Sequence, residues 1–299
     1  MLDERTRDDQ PTYYERPLLK APHWEWNVVT YLFMGGVMGG LGLIQLLADN
    51  QSSGRRLKRT ARWTSFVLAA ANPAILITHL GRPERFLHML RIVKLKSPMS
   101  LGVWGLVLYS GAAGANVLGI FEGLAAPLQA GLGAFISGYT GVLLSATANP
   151  FWASGKVHIP AASVCSGLAS ACALSSLIST IENNEDVTPK LERLEMVAGT
   201  AELLLLNAFE RSSGAFGKPF FEGNHGKKLR TYTIAAGTLA PLALNLIGNV
   251  VRLPKPVNVL RVAAASVLTL VGGYMLRECL IEAGKASARD PRVASRPPA

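Results

Sequence analysis

Residues 27–48 have the sequence NVVTYLFMGGVMGGLGLIQLLA, in which no side chain is charged. As an α-helix this segment is about 33 Å long, at ~1.5 Å per residue, so it crosses the ~30 Å hydrocarbon core of a bilayer. Because lipid cannot hydrogen-bond the backbone, a membrane segment must form these hydrogen bonds internally. A segment without alternating polar and apolar residues does so as a helix. The segment therefore predicts a transmembrane helix.

Seven further apolar stretches follow along the chain, each of about 16 to 25 residues, which is the length of a membrane span. They are residues 63–80, 101–121, 124–148, 159–181, 194–209, 229–251 and 257–280. The eight stretches hold only six charged side chains: Glu195, Glu202, Arg230, Arg261, Arg277 and Glu278. The sequence therefore predicts an all-α, polytopic membrane helix bundle with eight transmembrane helices at residues 27–283, an N-terminal arm at 1–26 and a C-terminal tail at 284–299.

The composition agrees with this class. Of the 299 residues, 49% are hydrophobic and 17% are charged, against roughly 25% charged in an average soluble domain. The net charge of +10 would suit nucleic acid only if Lys and Arg covered a solvated face. Here most of the charge lies in connections and termini, so nucleic acid is not an expected partner. Disordered, collagenous and disulfide-stapled classes are excluded as well.

Small residues in the first stretch predict tight helix packing. Gly35 with Gly39, and Gly36 with Gly40, form two overlapping pairs of small residues. Such pairs let the backbones of neighbouring helices approach closely in a membrane. A nucleotide-binding glycine loop would instead follow a strand in water, which this apolar context excludes.

The positive charges support two opposite orientations. With eight helices, both termini and the loops after helices two, four and six share one face, which holds about 20 of the 30 Lys and Arg residues and so predicts cytoplasmic termini. The first helix often dominates, however, and the loop after it is more basic than the arm before it. The residues compared are Arg55, Arg56, Lys58, Arg59 and Arg62 against Arg16 and Lys20. That comparison predicts an external N-terminus.

Two ionisable groups in the stretches are candidates for proton transfer, because a charge at the bilayer centre costs roughly 2.5 to 3.5 kcal/mol on insertion scales. Glu202 lies deep in the sixth stretch, either as a proton relay or as a structural glutamate hydrogen-bonded between helices. His79 ends the second stretch, where it either exchanges protons and binds a quinone carbonyl or caps a helix end. It is the one histidine inside a stretch, so haem held by paired histidines is not expected, nor is a metal site.

Three further polar residues of the apolar stretches are candidates for functional chemistry. Asn27 and Tyr31 are one turn apart at the start of the first stretch. Tyr139 lies in the middle of the fourth stretch, where its hydroxyl needs a hydrogen-bond partner. That partner is either a ligand or a neighbouring carbonyl.

The segment from Leu80 to Ser100 has the pattern of an amphipathic segment on the membrane face. Regularly spaced apolar residues lie beside Arg82, Arg85 and Arg91. This pattern favours docking of an acidic protein partner or of membrane lipid. Ordinary positive charge at the end of a membrane span is the alternative.

Several motifs in the first half of the chain resemble one family. LGRPERF at residues 80–86, SPMS at 97–100, Gly102 with Trp104, and YTGVLLS at 139–145 occur in the order typical of the NrfD/polysulphide reductase membrane subunits. The resemblance implies an eight-helix subunit without haem or other redox cofactor of its own, which binds menaquinone or ubiquinone. It also implies electron exchange with a ferredoxin-like iron–sulfur subunit that connects to a molybdopterin or cytochrome subunit.

By this resemblance, the quinone head is held by Asn27, Tyr31, His79 and Tyr139, although many members have an acid where this chain has His79. We expect a multi-pass subunit of a respiratory quinone-linked oxidoreductase in a prokaryotic cell membrane, with the partner on the extracytoplasmic face. The alternative function is a membrane transporter or proton-translocating bundle, which Glu202 and the many glycines would suit.

Overall fold

The computed structural model describes residues 19–20, 22–79, 84, 88, 90–91, 93–94, 96–120 and 122–290. Its long helices are α1 (Trp26–Leu47), α2 (Ser52–His79), α3 (Pro98–Val117), α4 (Glu122–Ser145), α5 (His158–Ile181), α6 (Thr188–Ser213), α7 (Gly223–Val250) and α8 (Lys255–Arg289). Within the described ranges no strand occurs, and each predicted apolar stretch coincides with one of these helices. The all-α fold class is confirmed.

Five of the helices, α1, α4, α5, α7 and α8, are long and apolar enough to cross a membrane. The chain is therefore a multi-pass membrane protein. Helix α6 is as long as these, but its composition is less apolar because it carries Lys190, Arg193 and buried glutamates. The number of eight crossings stays a prediction.

The helix ends meet at two faces, which we call upper and lower. At the upper face, where α1 begins, Trp24 stacks on Trp152 with ring centroids 5.1 Å apart. At the lower face, where α1 ends, Lys190 at the start of α6 forms a 2.7 Å ion pair with Asp49. The hydrogen bond from Lys190 lowers the pKa of Asp49 below its ordinary value.

Helix α1 packs against α2, α4 and α5, and its glycines set the distances to two of them. Gly39 approaches Gly133 of α4 so closely that a Cβ on either residue would overlap the other backbone. On α5, a Cβ on Gly167 would overlap the Gly36 backbone, and a Cβ on Gly40 would overlap the Gly167 carbonyl. The tight packing predicted from the glycine pairs is confirmed, and the two pairs serve two different neighbours.

Helix α7 contains a π-helical segment, Leu229–Leu239. The Ala240 N–H donates to the Ala235 carbonyl, five residues back instead of four. Pro241 follows, and a proline has no N–H to donate while its ring crowds the carbonyl four residues earlier, which favours a widened turn here. The segment packs Gly237 directly against the backbone of α8.

Helix α8 continues to Arg289, beyond the point at which the sequence predicts a tail from residue 284. The Gly284 carbonyl accepts a 2.7 Å hydrogen bond from Asn149 Nδ2, and a Cβ at this position would overlap the Trp152 ring. Gly284 therefore allows close packing and does not end the helix. Residues 284–289 belong to the folded bundle.

Candidate functional site

The Tyr139 ring lies near the upper end of α4, against the beginning of α3. Its hydroxyl donates to the Pro98 carbonyl at 3.0 Å, and a Cβ on Gly102 would overlap the ring. Helix α3 begins here because Ser97 accepts a hydrogen bond from the Ser100 N–H at 3.4 Å and Pro98 suits the first turn. The sequence left two possible partners for Tyr139, a ligand or a neighbouring carbonyl, and among the described residues the partner is the Pro98 carbonyl. A phenol that donates one hydrogen bond can still accept another.

Asn27 and Tyr31 are buried near the upper end of α1. Asn27 Oδ1 accepts from the Val28 N–H at 2.9 Å. Among the described residues, none hydrogen-bonds the Tyr31 hydroxyl. Tyr31 lies within electrostatic range of Tyr139, so these two predicted site residues share one region between α1 and α4.

His79 ends α2 at the same face. One turn earlier, Ile75 and Leu76 pack in the hydrophobic cluster that contains Tyr31. The end of α2 therefore lies at the same face as the two tyrosines. The His79 side chain lies outside what the structure describes, so its predicted role is untested.

The predicted docking segment connects α2 to α3 at the upper face. Arg82 and Arg85 lie outside the described residues. Arg91 is described and is exposed. Because the segment leads into Pro98, its last residues lie next to the carbonyl that binds Tyr139.

Glu202 is buried near the middle of α6 with partners on two neighbouring helices. The Ser166 hydroxyl of α5 lies near its carboxylate, and Arg277 of α8 interacts with it electrostatically. Arg277 Nη1 also donates to Ser166 Oγ at 2.6 Å and to the Gly273 carbonyl at 2.8 Å. Both interpretations of Glu202, as relay and as structural group, need such partners.

Arg277 connects this group to α1. It is 1% exposed, and its Nη2 donates to the Ser163 carbonyl at 3.2 Å. The guanidinium carbon lies 5.9 Å from the centroid of the Phe33 ring, and a Cβ on Gly36 would overlap the guanidinium. Gly36 therefore has a second role, which is to leave room for a buried cation.

Two buried carboxylates were missed as site candidates from the sequence. Glu195 Oε1 accepts from Thr269 Oγ1 at 2.6 Å. Glu192 pairs with Arg261 at 2.7 Å, and the two side chains are 4% and 6% exposed. The sequence contained a signal for both, which is the spacing of the glutamates: positions 192, 195 and 202 fall on one face of a helix.

A small cavity lies between Glu195 and Glu202, with room for about one water molecule. Its lining comes from α5 to α8 and is rich in small and polar residues. Among the described residues, nothing hydrogen-bonds the buried Ser170 Oγ, which borders this cavity. The other polar lining residues are Ser166, Thr238, Asn245 and Thr269.

Comparison with known protein families finds a match in the first part of the chain. The model of the family described as polysulphide reductase, NrfD, matches residues 18–137. This range includes Asn27, Tyr31 and His79, ends two residues before Tyr139, and leaves out α6 with its carboxylates. No curated protein matches the chain.

Proposed function

We propose that this chain, whose residues 18–137 match the model of the polysulphide reductase, NrfD family, is the quinone-reactive subunit of a respiratory complex. It passes electrons between menaquinone or ubiquinone in the membrane and a ferredoxin-like iron–sulfur subunit. That partner connects to a molybdopterin or cytochrome subunit. The complex lies in a prokaryotic cell membrane, with the partner on the upper, extracytoplasmic face.

The observation that carries the proposal is the proximity of Tyr31 and Tyr139 near one membrane face. A quinone head has two carbonyl oxygens, which need hydrogen-bond donors in an apolar site. The Tyr31 hydroxyl has no partner among the described residues, and the Asn27 side chain lies one turn nearer the face. These groups are the donors that the head requires.

Oxidation of a quinol releases two electrons and two protons, so the site also needs a proton acceptor and a nearby electron acceptor. His79 accepts one of these protons, because an imidazole titrates near neutral pH. The electrons pass to the iron–sulfur partner bound beside the segment that carries Arg82, Arg85 and Arg91. This segment leads directly to Pro98, which binds Tyr139.

The test removes single polar groups and measures quinol oxidation by the purified complex with its iron–sulfur subunit. Tyr31→Phe and Tyr139→Phe keep the rings and lose one hydroxyl each. We expect the KM for a soluble quinol to rise about fivefold to tenfold, because one hydrogen bond contributes ~1 kcal/mol. We expect His79→Ala to lower kcat about 100-fold, which is typical for loss of a positioned acid or base.

Tyr232→Phe is the control, because Tyr232 lies on α7 and is 49% exposed. It is expected to keep the parental KM and kcat. Parental values in all three site variants would reject the site, and purification of the chain without an iron–sulfur subunit would reject the role.

A further inference from the structure

We propose that α5 to α8 contain a proton path that opens at the lower face and ends at Glu202, which Arg277 connects to the helix that carries Tyr31. Its members are Glu192, Glu195, a water molecule and Glu202. The path rests on the proposed function in one respect, since the protons that it carries are those of quinone chemistry. It lies entirely outside the residues matched by the family.

Three buried carboxylates on one helix face define the line of the path. Glu192, Glu195 and Glu202 are each 3% to 4% exposed. At ~1.5 Å per residue they extend over about 15 Å of the axis of α6, which is roughly half of a hydrocarbon core. Ionisable groups at such depth are costly and usually face an internal pathway or a partner.

The lower end of the path has a polar opening. A cavity of about 150 Å³ lies where α6 and α8 begin, and the Glu192–Arg261 pair forms its inner wall. The other polar residues in its lining are Thr180, Thr188 and Asn258. Water from the lower face therefore reaches the carboxylate of Glu192.

Asn245 of α7 connects the outer pair to the next carboxylate. Its Oδ1 accepts from Arg261 Nη1 at 3.4 Å, and its side chain lies within interaction range of Glu195. Glu195 is also held by the 2.6 Å hydrogen bond from Thr269 Oγ1. Glu192 and Glu195 are about one helical turn apart, and the Asn245 Nδ2, beside Glu195, has no hydrogen-bond partner among the described residues.

The next gap, between Glu195 and Glu202, is filled by the small cavity. It has room for about one water, and a buried water needs two to four polar partners. The Ser170 hydroxyl is 1% exposed, lines this cavity and lacks a partner among the described residues. A water bound to Ser170 therefore satisfies that hydroxyl and bridges the two carboxylates.

Arg277 positions the upper end of the path without carrying a proton, because a guanidinium stays protonated. Its Nη1 donates to Ser166, its charge interacts with Glu202, and its Nη2 lies against Gly36 of α1. Gly36 follows Tyr31 by five residues, or about 7.5 Å along the helix. Arg277 thus connects Glu202 to the helix that carries Tyr31.

Above Glu202 the same face of α6 is closed by aromatic rings. Phe209, seven residues further on, is 1% exposed. It packs with Phe151, Phe220 and Phe221 at centroid distances of 5.6 to 6.3 Å. A proton on Glu202 therefore exchanges with the lower face and not with the upper one.

The chemistry balances as follows for quinol oxidation. Two quinol O–H bonds break, two electrons leave one at a time through the iron–sulfur centres of the partner subunit at the upper face, and quinone remains. His79 accepts one proton, and the other protonates the carboxylate of Glu202, which passes it through the water to Glu195 and Glu192. Electrons leave upwards and this second proton downwards, so each turnover separates charge across the membrane.

The experiment uses the whole complex in sealed proteoliposomes and measures quinol oxidation together with the protons released on the lower-face side. For Glu195→Gln and Glu202→Gln, we expect kcat to fall at least about tenfold with KM unchanged. We also expect the proton-to-electron ratio on that side to fall by at least about half. Glu210→Gln is the matched control, because Glu210 lies on the same helix but is exposed and pairs with Arg230.

The two proposals fail in different ways. A parent complex that does not oxidise quinol overturns the proposed function. A parent complex that does, together with parental kcat and proton ratios in both variants, overturns the path alone.

A second measurement needs no quinone activity and uses the unaltered chain. Dicyclohexylcarbodiimide reacts with protonated carboxyl groups in apolar sites, and mass spectrometry locates the adduct. We expect adducts at Glu195 or Glu202 of the purified complex. Absence of both adducts overturns the path even if the glutamine variants fail to assemble.

Discussion

The buried ion pair between Arg261 and Glu192 gives a stability prediction with an internal comparison. Its nitrogen–oxygen distance is 2.7 Å and its side chains are 6% and 4% exposed. The Lys190–Asp49 pair at the same face has the same distance of 2.7 Å, but its side chains are 65% and 36% exposed. The two pairs therefore have the same nitrogen–oxygen distance and differ in the exposure of their side chains.

Arg261→Met removes the cation and leaves the Glu192 carboxylate buried without it. An uncompensated buried charge lowers the free energy of unfolding by about 3 to 5 kcal/mol. The loss is not limited to Glu192, because Arg261 Nη2 also donates to Asn258 Oδ1 at 2.9 Å. Combining Arg261→Met with Glu192→Leu removes both charges, so we expect the double variant to recover most of the loss. Lys190→Met is expected to change stability little, because water and salt screen an exposed pair.

The assay follows helical circular dichroism of the purified chain in detergent micelles as dodecyl sulfate is added. Arg261→Met should unfold at a clearly lower fraction of dodecyl sulfate, and the double variant near the parental fraction. The reasoning is refuted by a single variant as stable as the parent, by a double variant no better than the single one, or by an equal loss in Lys190→Met.

Two predictions concern glycines. Gly39→Ala should lower the free energy of unfolding by about 1 to 3 kcal/mol, because its Cβ would overlap Gly133. Gly111→Ala on α3 has open space around the added methyl and should gain about 0.5 to 1 kcal/mol; equal unfolding midpoints in the two variants would contradict this packing. Gly102→Ala should displace the Tyr139 ring and raise the quinol KM about as much as Tyr139→Phe, and a parental KM would show that the ring's position does not matter.

Much of the fold was predictable from local sequence. Uncharged stretches as long as residues 27–48 must be helical in lipid, and the spacing of Gly36 and Gly40 announces close packing. The partner of each glycine pair was not predictable. Which of seven other stretches supplies Gly133 or Gly167 depends on contacts between residues far apart in the chain.

The candidate site was predictable in part. The sequence places Asn27 and Tyr31 together because they are one helical turn apart. Tyr139 was assigned to the same site because the motif around it resembles that of the family. The carbonyl of Pro98 as partner of Tyr139 could not be predicted, since 41 positions separate the two residues.

The sequence alone determined that this chain crosses a membrane as helices and that its first part is similar to a known family, because hydropathy and short motifs are local properties. Only the tertiary structure decided what surrounds the buried charges. Glu202 and Arg277 are 75 residues apart in the chain, yet they interact electrostatically inside the bundle. The physical reason is that the cost of burying a charge depends on its neighbours in space, which come from helices that no local pattern identifies.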